Sequence, residues 1–268
     1  MRFLKYSILI LFLCLIISCE KEINWKIKND NLDALVVDGI ITNEYKPQNI
    51  RLSHSYQELN SPVRPYTGSN VFIIDSTTLY QFTEATNDPG NYFSAPFRAV
   101  IGKIYNLTII TDTISYKANA FAVPVTPMNK IEINKSNADS LYTFKYTESS
   151  SPSMTEVFYN WSFDPDYCNI YGFCTATETY YTLNNEDVNK AFGPNKQIIK
   201  FPAGTTIIRK TYSLSVEHQQ FLRSLLMETD WRGGLFDVQA GNVNTNITNG
   251  AKGFFGVCMV VCDTTVVR

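Results

Sequence analysis

Between residue 32 and about residue 212 the chain shows no helical periodicity, and this constrains its fold more than any other feature. Short runs rich in valine, isoleucine, tyrosine, phenylalanine and threonine recur there instead, separated by turn residues. Residues 103–110, for example, alternate polar and apolar side chains and are followed by a second such run, residues 114–118, across a short turn. Seven or so strands within about ninety residues are typical of a β-sandwich. The pattern therefore predicts a mainly β protein.

Pro124 and Pro127 mark a predicted domain boundary. Two prolines so close together favour extended backbone and remove hydrogen-bond donors from a strand. Short alternating and aromatic-rich runs continue beyond them. We therefore expect a β-sandwich domain over residues 32–124 and a second β-rich domain over residues 125–268.

One amphipathic helix is predicted in the second domain, over residues 216–228. Ser215 is a suitable N-cap, and Glu217 places a carboxylate in the first turn, where the helix dipole favours it. Apolar residues follow at helical spacing. Residues 242–256 are rich in glycine and indicate a loop, ahead of a last strand over residues 257–267.

The N-terminus has the layout of a secretory signal. Arg2 and Lys5 precede an apolar run without a polar residue over 8–17, and Ser18 and Cys19 follow directly. A helix of about ten residues spans only ~15 Å, half of a ~30 Å hydrocarbon core, so it would not cross a bilayer by itself.

The residues Ile16-Ile17-Ser18-Cys19 resemble the bacterial lipobox. That resemblance implies a lipoprotein signal peptide over residues 1–18, cleavage before Cys19, and acylation of Cys19. Two or three acyl chains, at about 0.8 kcal/mol per buried methylene, hold a protein stably on a bilayer. The alternatives are an ordinary cleaved signal with a coincidental cysteine, and an apolar helix that stays uncleaved. Residues 19–31 are charged and rich in asparagine, which predicts a tether.

The acidic residues just behind the cysteine bear on location. Glu20 and Glu22 resemble the surface-export signal of Bacteroidetes-type lipoproteins. The resemblance implies an outer-membrane protein exposed at the cell surface, whereas a merely solvated linker needs no such signal.

The charge balance argues against nucleic acid as a partner. The chain has 23 basic and 25 acidic residues, and loss of Arg2 and Lys5 with the signal leaves 21 against 25, a net charge of −4. A chain this close to neutral offers no basic surface for phosphates. With 44% hydrophobic and 18% charged residues, it is also too apolar to be disordered.

No catalytic motif is present, which favours a non-enzymatic role without cofactor or metal. The chain has two histidines, His54 and His218, and we expect both at the surface or at an interface. No Gly-x-Ser-x-Gly motif, zincin helix or phosphate-binding glycine loop accompanies them. Asp164 and Asp166 stand two apart as in calcium loops, but the rest of the EF-hand pattern is missing, so a plain turn is favoured. A triad assembled from distant loops is the remaining enzymatic alternative.

Four cysteines remain after the predicted cleavage: Cys168, Cys174, Cys258 and Cys262. In an exported protein they indicate disulfides, because the compartment is oxidising. If residues 258–262 are extended, their two cysteines lie ~13 Å apart, beyond the ~7 Å limit for the Cα atoms of a disulfide. We then expect cross-pairing that joins the Cys168–Cys174 loop to the last strand. Free thiols and a four-thiolate zinc site are the alternatives, although the spacing fits zinc poorly.

The aromatic residues are the remaining binding candidates. Tyr159, Trp161 and Phe163 share one face of a predicted strand, and Trp231 follows the predicted helix. Exposed aromatic faces stack on sugars or anchor protein partners, whereas buried ones fill a sheet core. Both interpretations stay open, and Trp161 and Trp231 are the two candidate binding residues.

Short motifs along nearly the whole chain behind Cys19 form a recognisable set. They occupy residues 36–43, 62–63, 71–75, 90–92, 102–109 and 246–256. Together with the lipobox they are similar to the Bacteroidetes outer-membrane lipoproteins of the domain of unknown function 4249. The resemblance implies a transthyretin- or immunoglobulin-like N-terminal sandwich and an association with TonB-dependent transporters. It brings no catalytic residue.

These observations lead to an expected function. We expect a surface-exposed outer-membrane lipoprotein, held on the membrane by its N-terminal lipid. It would serve as a non-enzymatic accessory or ligand-binding subunit of a TonB-dependent transporter system. The alternative is a structural adhesin or cell-envelope interaction module.

Overall fold

The computed structural model describes residues 33–56, 61–184, 198–231 and 243–268. The predicted signal peptide, Cys19 and the tether lie outside the described residues. The strands in the described part are β1 (Leu35–Thr42), β2 (Asn49–His54), β3 (Asn70–Ile74), β4 (Leu79–Ala85), β5 (Asp88–Ser94), β6 (Ile104–Ile110), β7 (Ser115–Phe121), β8 (Glu132–Lys135), β9 (Tyr142–Lys145), β10 (Ser153–Asn160), β11 (Thr175–Thr182), β12 (Lys200–Phe201), β13 (Thr206–Ser213), β14 (Lys252–Cys258) and β15 (Val260–Val266). The helices there are α1 (Pro165–Tyr171) and α2 (Val216–Glu228). The predictions of a mainly β fold and of an amphipathic helix near residues 216–228 are confirmed.

Eight strands form one sheet that curls around the first hydrophobic core. Their order is β14-β1-β2-β5-β4-β3-β6-β7. Inward and outward side chains alternate along most of them, as on β7, where Tyr116, Ala118 and Ala120 are buried. The two outer strands, β14 and β7, approach each other: Val123, just beyond β7, forms a parallel bridge with Cys258 of β14. We call this the rolled sheet.

Strand β14 corrects the last part of the loop predicted over residues 242–256: residues 243–251 form no helix or strand, but a strand begins at Lys252. It pairs in parallel with β1. Phe255 belongs to the core of the rolled sheet, while Phe254 stacks on His218 of α2 with ring centroids 4.8 Å apart. A strand buried on both faces does not alternate between polar and apolar residues. Without that alternation, the two glycines of β14 make its sequence look like that of a loop.

The remaining strands of the second half form two smaller sheets. One has the order β11-β10-β13-β15 and the other the order β12-β9-β8. They pack around a second hydrophobic core that includes Val157, Tyr159, Trp161 and Phe201. A single residue, Met259, separates β14 from β15. The chain thus passes from the rolled sheet straight into the four-stranded sheet, and β14 brings residues from beyond the expected domain boundary back into the first sheet.

Helix α2 begins where the sequence predicts. The Ser215 hydroxyl accepts a hydrogen bond from the backbone N–H of His218 at 3.3 Å and caps the helix. The buried face of the helix presents His218, Leu222 and Leu226. Among the residues that the structure describes, no helix is both long and apolar enough to cross a membrane.

Candidate functional site

A wide cleft opens between the edge of β11 and the three-stranded sheet. Its volume is about 1080 Å³, and we call it the aromatic cleft. Its lining combines aromatic rings, two isoleucines, hydroxyl groups and four charged side chains: Asn134, Thr143, Phe144, Lys145, Tyr146, Trp161, Phe173, Ala176, Thr177, Glu178, Thr179, Tyr180, Tyr181, Ile198, Ile199, Lys200 and Asp230.

Strand β11 contributes to the cleft with both of its faces. All residues from 176 to 181 line it, although successive residues of a strand point to opposite sides. The reason is the position of β11 at the edge of its sheet. β10 pairs with one side of β11, and no strand in the described part of the chain pairs with the other. The cleft follows this open edge.

A carboxylate on β11 accepts hydrogen bonds from two tyrosine hydroxyls. Oε2 of Glu178 accepts hydrogen bonds from the hydroxyls of Tyr159 and Tyr180, the latter at 3.0 Å. Burial first, and then the negative charge of Glu178, raise the pKa of both tyrosines above the ordinary value. Both hydroxyls therefore stay protonated donors at neutral pH. The sequence prediction missed Glu178, whose only signal is that it shares a strand face with Tyr180.

Three aromatic rings form a row beside this carboxylate. Tyr146 and Tyr180 stack with ring centroids 4.3 Å apart and planes inclined by 9°. Phe144 lies 5.7 Å from Tyr180, centroid to centroid. A 2.7 Å hydrogen bond between the hydroxyls of Tyr146 and Thr182 holds the end of the row. Two segments that are distant in sequence thus build one aromatic wall.

The two lysines in the lining are held by carboxylates outside it. Nζ of Lys145 lies 2.7 Å from a carboxylate oxygen of Glu132, and Nζ of Lys200 lies 2.6 Å from one of Asp139. Each ammonium is therefore largely compensated by its own partner. The positive charge of the lining is correspondingly weak.

The two tryptophans predicted as binding candidates are both buried. Trp161 is 1% exposed, and its indole N–H donates to the carbonyl oxygen of Phe173 at 3.0 Å. It forms part of the cleft wall, whereas Phe173 is half exposed. Trp231 is 7% exposed, so of the two interpretations that the sequence leaves open the structure favours a packed side chain there. Its backbone N–H donates to the carbonyl oxygen of Leu226 at 2.9 Å, which turns the chain back onto α2.

The expected cross-pairing of the cysteines is wrong. Cys168 and Cys174 form a disulfide with each other, and their Cα atoms are 4.7 Å apart. Helix α1 makes this possible by folding the intervening loop. The Asp164 carboxylate caps the helix, and Gly172 ends it in the left-handed conformation, with φ at 77°. The turn predicted at Asp164 is therefore a helix cap.

Cys258 and Cys262 are free thiols, the first buried and the second exposed. Sγ of Cys258 lies 3.5 Å from Nδ1 of His218. Burial raises the pKa of Cys258 to about 12 and lowers the pKa of His218 to about 4. Both groups stay neutral at physiological pH, whereas a nucleophilic cysteine needs a lowered pKa and an open approach. This pair belongs to the packing of α2 on β14.

The histidines differ in their surroundings. His218, expected at the surface or at an interface, is buried between α2 and β14. His54 ends β2, and its Nδ1 lies 2.8 Å from a carboxylate oxygen of Asp33. In the described part of the chain, no group of three or more histidine, cysteine, aspartate or glutamate side chains is placed to hold a metal ion.

A second surface feature lies at one end of the rolled sheet, on its outer face and an adjoining turn. Six large apolar side chains there are 39–57% exposed, and we call them the apolar end patch: Ile74, Leu79, Val100, Ile101, Ile104 and Phe121. Strand pairing explains the grouping. Ile74 faces Leu79, and Ile104 faces Phe121. The two pairs are neighbours, because Ile74 also faces Asn106, two residues from Ile104.

An ion pair between a buried aspartate and a partly exposed lysine supports this end of the sheet. The Asp75 side chain is fully buried and accepts hydrogen bonds from the backbone N–H groups of Thr77 and Thr78 and from Nζ of Lys103, the last at 2.8 Å. Burial by itself would raise the pKa of Asp75, but these hydrogen bonds outweigh it and hold the pKa well below its ordinary value. The pair ties the β3–β4 turn to the loop before β6.

Comparison with known proteins identifies a family. The model described as Domain of unknown function (DUF4249) matches residues 20–262. That range begins directly after Cys19 and contains the whole of the aromatic cleft and of the apolar end patch. No curated protein matches the chain.

Proposed function

Since the chain belongs to the family described as Domain of unknown function (DUF4249), we propose that it is a lipoprotein anchored through Cys19 in the outer membrane and exposed at the cell surface. It acts there as a non-enzymatic accessory subunit of a TonB-dependent transporter. It docks to the transporter through the apolar end patch and presents the aromatic cleft to ligand.

The N-terminal residues support the anchor. The lipobox-like segment ends at Cys19, and the family match begins at residue 20. Residues Asp33–Arg268 form one compact unit. A lipid on Cys19 would therefore precede this unit in the chain.

The apolar end patch is the observation that carries the docking role. Soluble monomers rarely expose contiguous apolar patches larger than a few hundred Å², and larger ones mark contact sites. The six side chains are uncharged, and Lys103 in the adjoining loop is paired with the buried Asp75. A surface of this kind fits an aliphatic surface on another protein, because nothing charged has to be desolvated.

The patch lies at the opposite end of the rolled sheet from the point where the chain enters it. The chain enters the described unit at Asp33, next to the end of β1 where Leu35 pairs with His54. Residue pairing can be followed from β1 across β2, β5, β4 and β3 to β6. It places Ile74 and Ile104 at the end of the sheet opposite to Leu35.

The docking role predicts the effect of a charge placed in the patch. With Ile104→Lys, we expect the recovery of the transporter with the affinity-purified protein to fall at least about tenfold, because an interface core does not tolerate an unpaired ammonium. The measurement is quantitative mass spectrometry of proteins that co-purify from detergent-solubilised envelopes. Thermal unfolding of the variant should stay close to wild type, because the side chain of Ile104 is 53% exposed.

Ile114→Lys is the matched control for this experiment. Ile114 is 41% exposed and lies in the turn at the other end of β6 and β7, outside the patch. It should leave recovery of the transporter unchanged. Equal recovery with both variants, or equal loss with both, would contradict docking through the patch.

A further inference from the structure

The Glu178 carboxylate has one oxygen engaged and one open. Both tyrosine hydroxyls donate to Oε2. Within the described part of the chain no group donates to Oε1, and Glu178 lines the aromatic cleft. A carboxylate with one oxygen fixed by two donors is held in place, and its other oxygen accepts a hydrogen bond from whatever enters.

The chemistry around this oxygen matches a positive charge. Aromatic rings attract cations to their faces through their quadrupole. Tyr146 and Tyr180 cover one face of each other by stacking, so their other faces and the Phe144 ring are the ones that can meet a cation. The lining lysines do not compete for Glu178, since Glu132 and Asp139 hold them. Asp230 adds a second carboxylate to the lining.

We propose that the aromatic cleft binds an organic cation, an ammonium or guanidinium group on a partly apolar ligand, with Glu178 as its counter-ion and the three rings as its wall. The volume of about 1080 Å³ leaves room for a ligand much larger than the cationic group itself. This site is separate from the apolar end patch, so either proposal can fail while the other stands.

Two small probes of the same shape, one charged and one neutral, test whether the cleft recognises the positive charge of a ligand. Choline carries a quaternary ammonium, and 3,3-dimethyl-1-butanol has the same shape with a carbon in place of the charged nitrogen. Binding of each probe to the full chain is followed by chemical-shift titration. We expect choline to bind at least about tenfold more tightly than its neutral analogue, because charge is the one property that differs.

Two glutamate variants assign the effect to its residue. Glu178→Gln keeps the shape of the side chain and removes its charge, so choline affinity should fall about tenfold while that of the neutral analogue stays the same. Glu156→Gln is the matched control, because Glu156 also accepts a hydrogen bond from a tyrosine, Tyr212 at 2.8 Å, but does not line the cleft. It should leave both affinities unchanged.

The outcomes separate cleanly. Equal affinity for choline and its neutral analogue in the wild-type chain would overturn the proposal without any variant having to fold. Absence of choline binding up to the millimolar range would overturn it too. A preference for choline that survives Glu178→Gln would overturn the role of Glu178. None of these results would bear on the proposal that the protein docks through the apolar end patch.

Discussion

Replacing Gly253 by alanine is expected to lower the free energy of unfolding by about 4 kcal/mol or more, at the upper end of single-substitution effects. Gly253 has φ at 84°, and an added Cβ would lie 2.0 Å from the carbonyl oxygen of Val37 and 2.9 Å from its carbonyl carbon. These are backbone atoms of β1, which cannot move aside without opening the β1–β14 pairing. Because β14 leads directly into β15, the disruption reaches the four-stranded sheet as well.

Gly250→Ala separates this clash from the cost of the backbone conformation. Gly250 has φ at 78°, but an added Cβ there meets nothing within 4 Å. Gly250→Ala should lower the free energy of unfolding by only about 1–2 kcal/mol, which is the strain of an alanine in the left-handed conformation. Urea denaturation followed by far-ultraviolet circular dichroism measures both variants. Equal losses for the two substitutions would show that the close approach of β1 and β14 is not what requires glycine at Gly253.

The second large effect concerns the membrane anchor. Cys19→Ala should abolish incorporation of labelled palmitate and release the protein from the outer-membrane fraction, because the thiol that takes the first lipid is gone. Each lost acyl chain removes about 0.8 kcal/mol per buried methylene, so retention should be lost completely and not merely weakened.

Cys14→Ala is the control for the anchor. Cys14 lies inside the apolar run of the predicted signal peptide and would be removed with it. This variant should be labelled and retained like the wild type. Palmitate labelling that persists in Cys19→Ala would contradict lipidation at that residue.

Much of the fold follows from local patterns. Alternating runs such as β6 and β7 form strands because one face of the sheet is buried and the other meets solvent. Helix α2 begins directly after Ser215, because the hydroxyl of this N-cap residue accepts a hydrogen bond from a backbone N–H of the first turn. Strand β14 escapes the same reasoning, since burial on both faces removes the alternation on which the prediction depends.

The candidate sites were harder to predict, because they depend on contacts between distant segments. The pairing of Cys168 with Cys174 follows from a helix of two turns whose signals, Asp164 before Pro165 and Gly172 after the last turn, are visible in the sequence. The aromatic cleft gives no such signal, since it forms where the edge of β11 meets a sheet built from other segments. The two tryptophans are buried, which removes their large apolar surfaces from water.

Photo-crosslinking in intact cells tests the proposed docking most directly. A photoreactive phenylalanine derivative at position 79 would stand in the apolar end patch, where Leu79 is 57% exposed, and the same group at position 114 would stand outside it. Docking through the apolar end patch predicts a light-dependent adduct with a TonB-dependent transporter from position 79 and none from position 114. No transporter adduct from position 79, in a protein that is lipidated and folded, would contradict it.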